Sequence, residues 1–339
     1  MKKYLLCVFT CLLGIKTYGQ YQVITIETDT SAIELTKNSV YWIWEETLKG
    51  KDSVWYSVRY IKDTTQVHQE GWKKKNGRRI GKWSEFTLDG TWLYTIDYTR
   101  HSWTYNPKKF KHQQLKDKIK KQADHILIRK FGQEFFDHNL VFNFYGHTYI
   151  GKWKTYETGN YWTQEKYLGS WTEPTDLKPN TLVLNYTIVL TEDEYYNDML
   201  QVELDSSGNL IREPSKFDIR LEEIVVPTKS RFTINREKAI QLCKQHPLQP
   251  AADAPWETTL RLGWRKMGAN PGELWYQVLQ QYDQTKEGDC HQHCTITKYY
   301  NVWRFNPWTS ELLFHKPMKE ITRWSQGCGQ TGELQELNK

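Results

Sequence analysis

"TLVLNYTIVLTEDEYYNDMLQVELD", Thr181 to Asp205, reads as two strands joined by a polar connection. Leu182, Leu184, Tyr186, Ile188 and Leu190 recur at every second position, and so do Leu200, Val202 and Leu204. A period of two places each set on one face of a sheet, so the stretch predicts an antiparallel hairpin. "DSSG", Asp205 to Gly208, supplies the next turn.

The rest of the chain follows the same chemistry. Its 339 residues include 16 tryptophans and 21 tyrosines, while mean hydropathy is −0.75. A polar, strand-rich chain of this kind builds its cores from aromatic rings. Two helices stand out. In "QQLKDKIKKQADHILIRKF", Leu115, Ile119, Ala123, Ile126 and Leu127 form one apolar stripe with lysines around the other face. In "INREKAIQLCKQHP", Asn235 is a suitable N-cap, Ala239, Leu242 and Cys243 share a face, and Pro247 marks the end. Each helix precedes a set of strands. The expected fold is therefore α+β: a β-rich N-terminal region over 20–110, helix-plus-antiparallel-sheet units over 111–225 and 226–318, and a flexible tail over 319–339.

The first residues, "MKKYLLCVFTCLLGIKTYGQ", have a charged start, an apolar run from Tyr4 to Ile15 and a polar exit with Gly19. That is the layout of a secretory signal peptide spanning 1–19, cleaved before Gln20. The run is too short to cross the ~30 Å of a bilayer, and no later segment is apolar enough to do so. The expected location is periplasmic, secreted or at the cell surface. The net charge of +6 includes Lys2, Lys3 and Lys16 of the leader, so the remainder is only weakly basic and carries no nucleic-acid signature. The charge is uneven: from Trp72 to Lys130 there are 16 Lys and Arg against 5 Asp and Glu. A solvated basic surface explains this, and an anionic partner is the alternative.

Of six cysteines, Cys7 and Cys11 fall in the leader, leaving Cys243, Cys290, Cys294 and Cys328. Cys243 lies on an apolar helix face and reads as a small core residue. "DCHQHC", Asp289 to Cys294, admits two readings. In an oxidising compartment, Cys290 or Cys294 forms a disulfide, with each other or with Cys328 in the glycine-rich tail. Alternatively Cys290, His291, His293 and Cys294 hold zinc or copper in a tight loop, since thiolate and imidazole suit both metals. The favoured reading has no cofactor. In "TKYYNVWRF", Tyr300 and Val302 face one way, and Tyr299, Trp303 and Phe305 the other. Either a neighbouring segment covers that second face, or the three rings form a platform for a sugar or peptide. No metalloprotease, serine-hydrolase, phosphate-loop or dinucleotide signature occurs, and no catalytic residue is assigned.

Two stretches resemble known families. "RIGKWSEF" (Arg79–Phe86) and "YIGKWKTY" (Tyr149–Tyr156), with "YLGSW" (Tyr167–Trp171) as a looser copy, resemble MORN-type hairpin repeats, which implies an interaction scaffold. The shared glycine is expected to allow close backbone approach, with the tryptophan covering the next hairpin. "INREKAIQLC" together with "WRFNPWTSELL" resembles a PepSY domain, covering about Arg231 to Lys316. Asn235 and Ala239 match its helix, and Asn306, Pro307, Trp308, Thr309 and Ser310 match its closing turn, with Asn for the usual Asp and Ser for the usual Gly. The resemblance implies a binding or regulatory role rather than catalysis. The expected function is thus a non-enzymatic binding protein of the bacterial cell envelope, partnered by an envelope protein or polysaccharide. A metal-handling protein and a glycan hydrolase are the alternatives.

Overall fold

The structure, a computed structural model, describes residues 13–18, 21–156, 159–191, 194–195, 200–211, 224–250, 254–262, 272–325, 328–332 and 334–337. It divides into two compact units, Met1–Gln113 with Pro174–Asp176, and Gln114–Glu173 with Leu177–Lys339.

The first unit is a nine-stranded antiparallel meander in sequence order. Its strands are β1 (Leu13–Tyr18), β2 (Tyr21–Glu27), β3 (Ser31–Lys37), β4 (Tyr41–Leu48), β5 (Ser53–Tyr60), β6 (Val67–Lys74), β7 (Arg79–Phe86), β8 (Trp92–Asp97) and β9 (Ser102–Tyr105). Short polar turns enforce the up-and-down order. Asn38 Oδ1, for example, accepts from the backbone N–H groups of Val40 and Tyr41 at 2.8 and 2.6 Å, a side-chain substitute for backbone pairing at a reversal. One face buries Val54, Val58, Trp83, Tyr94 and Ile96. Phe110 closes the end of that face against Tyr94, Trp103 and Tyr105. Of the expected leader, residues 1–12 and 19 lie outside the described residues, while Leu13–Tyr18 form β1, paired along its length with β2.

The second unit holds two sheets. Helices α1 (Gln113–Phe131) and α2 (Gln133–Asn139) precede β10 (Leu140–Tyr156), β11 (Gly159–Ser170), β12 (Thr181–Thr191), β13 (Glu194–Tyr195) and β14 (Leu200–Asp205). The strand order is β11-β10-β12-β13, with β14 also on β12. Strands β12 and β14 pair from Thr181↔Asp205 to Tyr186↔Leu200. Leu182, Leu184, Tyr186 and Ile188 are buried, as their alternation requires. Helix α3 (Arg236–Gln245) precedes β15 (Trp256–Leu262), β16 (Leu274–Asp289), β17 (His293–Phe305), β18 (Leu312–Ser325), β19 (Cys328–Thr331) and β20 (Gln335–Glu336). These follow the order β15-β16-β17-β18-β19, with β20 also on β18.

The α+β expectation is overturned. Strands make up 56% of the structure and three helices 13%, so the chain is mostly β. The helices are where the sequence places them, but strands of 17, 16, 13 and 14 residues outweigh them in β10, β16, β17 and β18. Hairpins this long read in sequence as several short strands. The tail expected to be flexible instead adds β19 and β20 to the edge of β18. Leu334 packs beside the buried cluster of Tyr300, Val302 and Met318.

Lys116 departs from its expected place. The apolar-stripe reading of α1 sets lysines around the other face, yet Lys116 is 2% exposed. Its Nζ donates to the carbonyl oxygens of Trp171 at 2.8 Å and Glu173 at 3.3 Å. Desolvation pushes its pKa down to about 8, against the opposing pull of Glu173 and Asp117.

Candidate functional site

The site builds up from "YWIWEETL" and "SVWYSVRY", the sequences of β4 and β5. Alternation puts Trp42, Trp44 and Glu46 on one face of β4. Pairing sets Trp42 opposite Arg59, Trp44 opposite Ser57 and Glu46 opposite Trp55, and partners across an antiparallel pair share a face. On the other side, Leu35 of β3 lies opposite Trp44 and Lys37 opposite Trp42. Together Leu35, Trp42, Trp44, Glu46, Trp55, Ser57, Arg59 and Thr64 line an open groove of about 560 Å³. Trp72 of β6 extends the aromatic surface, meeting Trp55 edge-on at 5.2 Å.

The three groove indoles are half-buried, held by the sheet beneath them but left in reach of solvent. Ser57 is different: it is 1% exposed, and its hydroxyl finds no hydrogen-bond partner among the described residues. A buried hydroxyl left unpaired costs on the order of 1–3 kcal/mol. Arg59 is anchored, with Nη1 donating to the carbonyl of Thr64 at 3.1 Å. The opposite face of the same strands fixes this layout. Tyr56 stacks on Trp83 at 5.5 Å, and Lys73 bridges the Tyr56 ring and Glu45. The sequence carried a signal for this groove, the Trp-x-Trp pair of β4 facing an alternating β5, which the reading of the N-terminal region as β-rich did not resolve into faces.

The ring platform expected at Tyr299, Trp303 and Phe305 is differently placed. Trp303 is 1% and Phe305 0% exposed. Trp303 donates from Nε1 to the carbonyl of His246 at 2.9 Å and packs against Trp256. Tyr299 is half-buried. The end of α3 and the segment after it cover this face, so two of the three rings are core.

Cys290 and Cys294 are joined by a disulfide, their Cα atoms 4.6 Å apart, while Cys243 is buried and Cys328 exposed, both with free thiols. The bond closes the β16–β17 hairpin. Asp289 caps the reversal, its carbonyl accepting from Gln292 N–H and its carboxylate from His291 N–H. Gly288 has φ +85°, and a Cβ there would lie 2.4 Å from the His293 carbonyl. With both sulfurs bonded to each other, the zinc or copper set of Cys290, His291, His293 and Cys294 loses its thiolates. No cluster of three or more metal-ligating side chains occurs among the described residues.

The shared Ile-Gly-Lys-Trp stretches use their glycines differently. Gly81 has φ +59° and open space where a Cβ would sit, so it serves the irregularity in the β6–β7 pairing. The close approach belongs to Gly71, where a Cβ would lie 2.5 Å from the Trp83 ring, and to Gly151, where it would lie 2.2 Å from Trp162. In the last unit, Asn306 Oδ1 accepts from the N–H groups of Trp308 and Thr309, doing with an amide what an aspartate would do. Ser310 sits at φ +64°, a region that favours glycine.

The basic segment is individually engaged at several points. Lys73 meets Glu45, Lys111 meets Asp176 and Lys120 meets Asp124, and Lys116 is internal. No helix among the described residues is long and apolar enough to cross a membrane. Comparison with protein-family models, curated proteins and solved structures returns no match.

Proposed function

We propose that this chain is a non-enzymatic binding protein of the bacterial cell envelope, and that it meets its partner, an envelope polysaccharide or protein, through the tryptophan groove on β3–β5. The observation that carries this reading is the gathering of Trp42, Trp44 and Trp55 with Leu35 on one sheet face. Solvent-accessible aromatic surface rimmed by polar groups marks interaction sites. The PepSY-like turn and helix support a binding role, and the Cys290–Cys294 disulfide is compatible with an extracellular location. Binding is favoured over glycan hydrolysis because Glu46 is the one carboxylate among the groove-lining residues, whereas most glycosidases need a pair flanking the bond.

The test is retention on insoluble envelope material. Wild type and a Trp42→Ala/Trp44→Ala/Trp55→Ala variant are compared on whole envelope, deproteinised glycan, and extracted protein, with circular dichroism to verify folding. Retention that the folded variant loses supports the reading. Equal retention of the two removes the groove from consideration.

A further inference from the structure

We propose that the groove takes an uncharged glycan chain, an assignment that rests on reading it as the binding surface. The first argument is geometric. Trp42 and Trp44 lie two residues apart on one face, about 6.8 Å along the strand, and Trp55 continues diagonally on the next strand. Three half-buried indoles gathered along one strand pair offer apolar surface to pyranose rings, whose C–H faces are apolar and whose hydroxyls project at the rim.

The second argument is the unpaired hydroxyl. Ser57 is buried in the floor of the groove with no partner among the described residues. A hydroxyl donates and accepts, so the group that completes it must be able to do both. Sugar hydroxyls do so. The guanidinium of Arg59, anchored to Thr64, keeps N–H groups for an adjacent diol, and Glu46 supplies acceptors.

The third argument is charge. Arg59 and Lys37 share this face with Glu46 and Glu70, as their pairing to Trp42, Trp55 and Ser57 shows. Lys74 joins them further along, opposite Ser53, but the groove lining itself holds one cation, Arg59, and one anion, Glu46, so the groove offers no net attraction for an acidic chain or an anionic membrane. Nor does the site suit a peptide added as a further strand, which needs a free sheet edge. β3, β4 and β5 each have strands paired on both sides, so only side chains are presented.

The experiment titrates the full-length protein with neutral hexasaccharides, β1,4- and α1,4-linked glucose and β1,4-linked N-acetylglucosamine. An oligogalacturonate and anionic phosphatidylglycerol vesicles serve as charged probes. Tryptophan fluorescence and calorimetry are the readouts. At least one neutral oligomer is expected to bind, with affinity falling at least about tenfold in Trp44→Ala. Ser57→Ala is expected to weaken binding while leaving the circular dichroism spectrum unchanged, and Trp44→Phe to restore part of the loss. No response to any neutral oligomer, stronger response to the acidic oligomer or vesicles, or wild-type affinity in folded Trp44→Ala overturns the assignment. If neutral oligomers fail while envelope protein is still retained through the three tryptophans, the glycan assignment falls and the groove reading stands.

Discussion

Replacing Lys116 with methionine tests whether an internal amine tunes the stability of this chain. The ordinary lysine pKa of 10.5 is brought down to about 8 by desolvation, a gap equivalent to about 3 kcal/mol. Below pH 8 both folded and unfolded chains carry the proton, and the fold bears the cost of burying the ammonium. Between about 8 and 10.5 the folded amine is neutral while the unfolded one stays charged. The unfolded state then binds more protons, so stability rises with pH across this window and levels off above it. Other groups oppose this trend: burial raises Tyr186 and Tyr300, so those phenols favour unfolding at high pH. The difference between wild type and Lys116→Met isolates the amine. Denaturant unfolding at pH 7, 8, 9 and 10 is expected to show wild type gaining about 2 to 3 kcal/mol relative to the variant by pH 10. At pH 7 the variant removes the charge but leaves the Trp171 and Glu173 carbonyls without their donor, so the two effects oppose each other. Parallel pH profiles for the two proteins would refute the buried, depressed amine.

Three further outcomes are expected. Gly71→Ala, whose Cβ would strike Trp83 and the Lys82 carbonyl, should lower stability by about 1–3 kcal/mol, and Gly81→Ala, which has open space but φ +59°, by about 1–2 kcal/mol through backbone strain alone; thermal melts followed by tryptophan fluorescence measure both, and an unchanged melting temperature in Gly71→Ala contradicts the assignment of close approach to Gly71. Non-reducing peptide mapping should recover Cys290 joined to Cys294, with Cys328 alkylated in the native protein and Cys243 only after unfolding, since burial raises that thiol to about 12; a Cys294–Cys328 peptide would contradict this. Asn301→Ala should cost about 1–3 kcal/mol by urea unfolding, because its amide pairs with both the N–H and the carbonyl of Gln249, and an unchanged midpoint would deny that role.

What was legible in the sequence is what local pattern controls. The period-two alternation of Thr181–Leu190 and the capping of α3 by Asn235, which accepts from Lys238 N–H, both appear as read. Lys116 was not legible, because its partners are carbonyls more than fifty residues away. The share of strand was misjudged because the long hairpins exchange faces through irregularities in pairing, as between Gln281 and Asp283, which break the alternation that identifies one strand. The groove needed register: Trp44 and Ser57 become neighbours only once β4 and β5 are aligned. The tetrad Cys-His-His-Cys carries either chemistry at the level of composition, and the hairpin pairing of Gly288 with Cys294 brings the two sulfurs together.

The pairing of β1 with β2 bears on how this chain would mature. Residues Leu13–Tyr18 cannot be both the discarded end of a leader and the outermost strand of the meander. If a peptidase cuts before Gln20, the sheet is left with eight strands, and "YQVITIE" loses the neighbour that satisfies its backbone from Tyr21 to Ile26. A fresh row of unpaired N–H and C=O groups would then flank Val23, Ile24 and Ile26, a template on which another chain can crystallise its own strand. A chain cut there would carry β2 as the outer strand of the meander, its edge open to any strand of matching register.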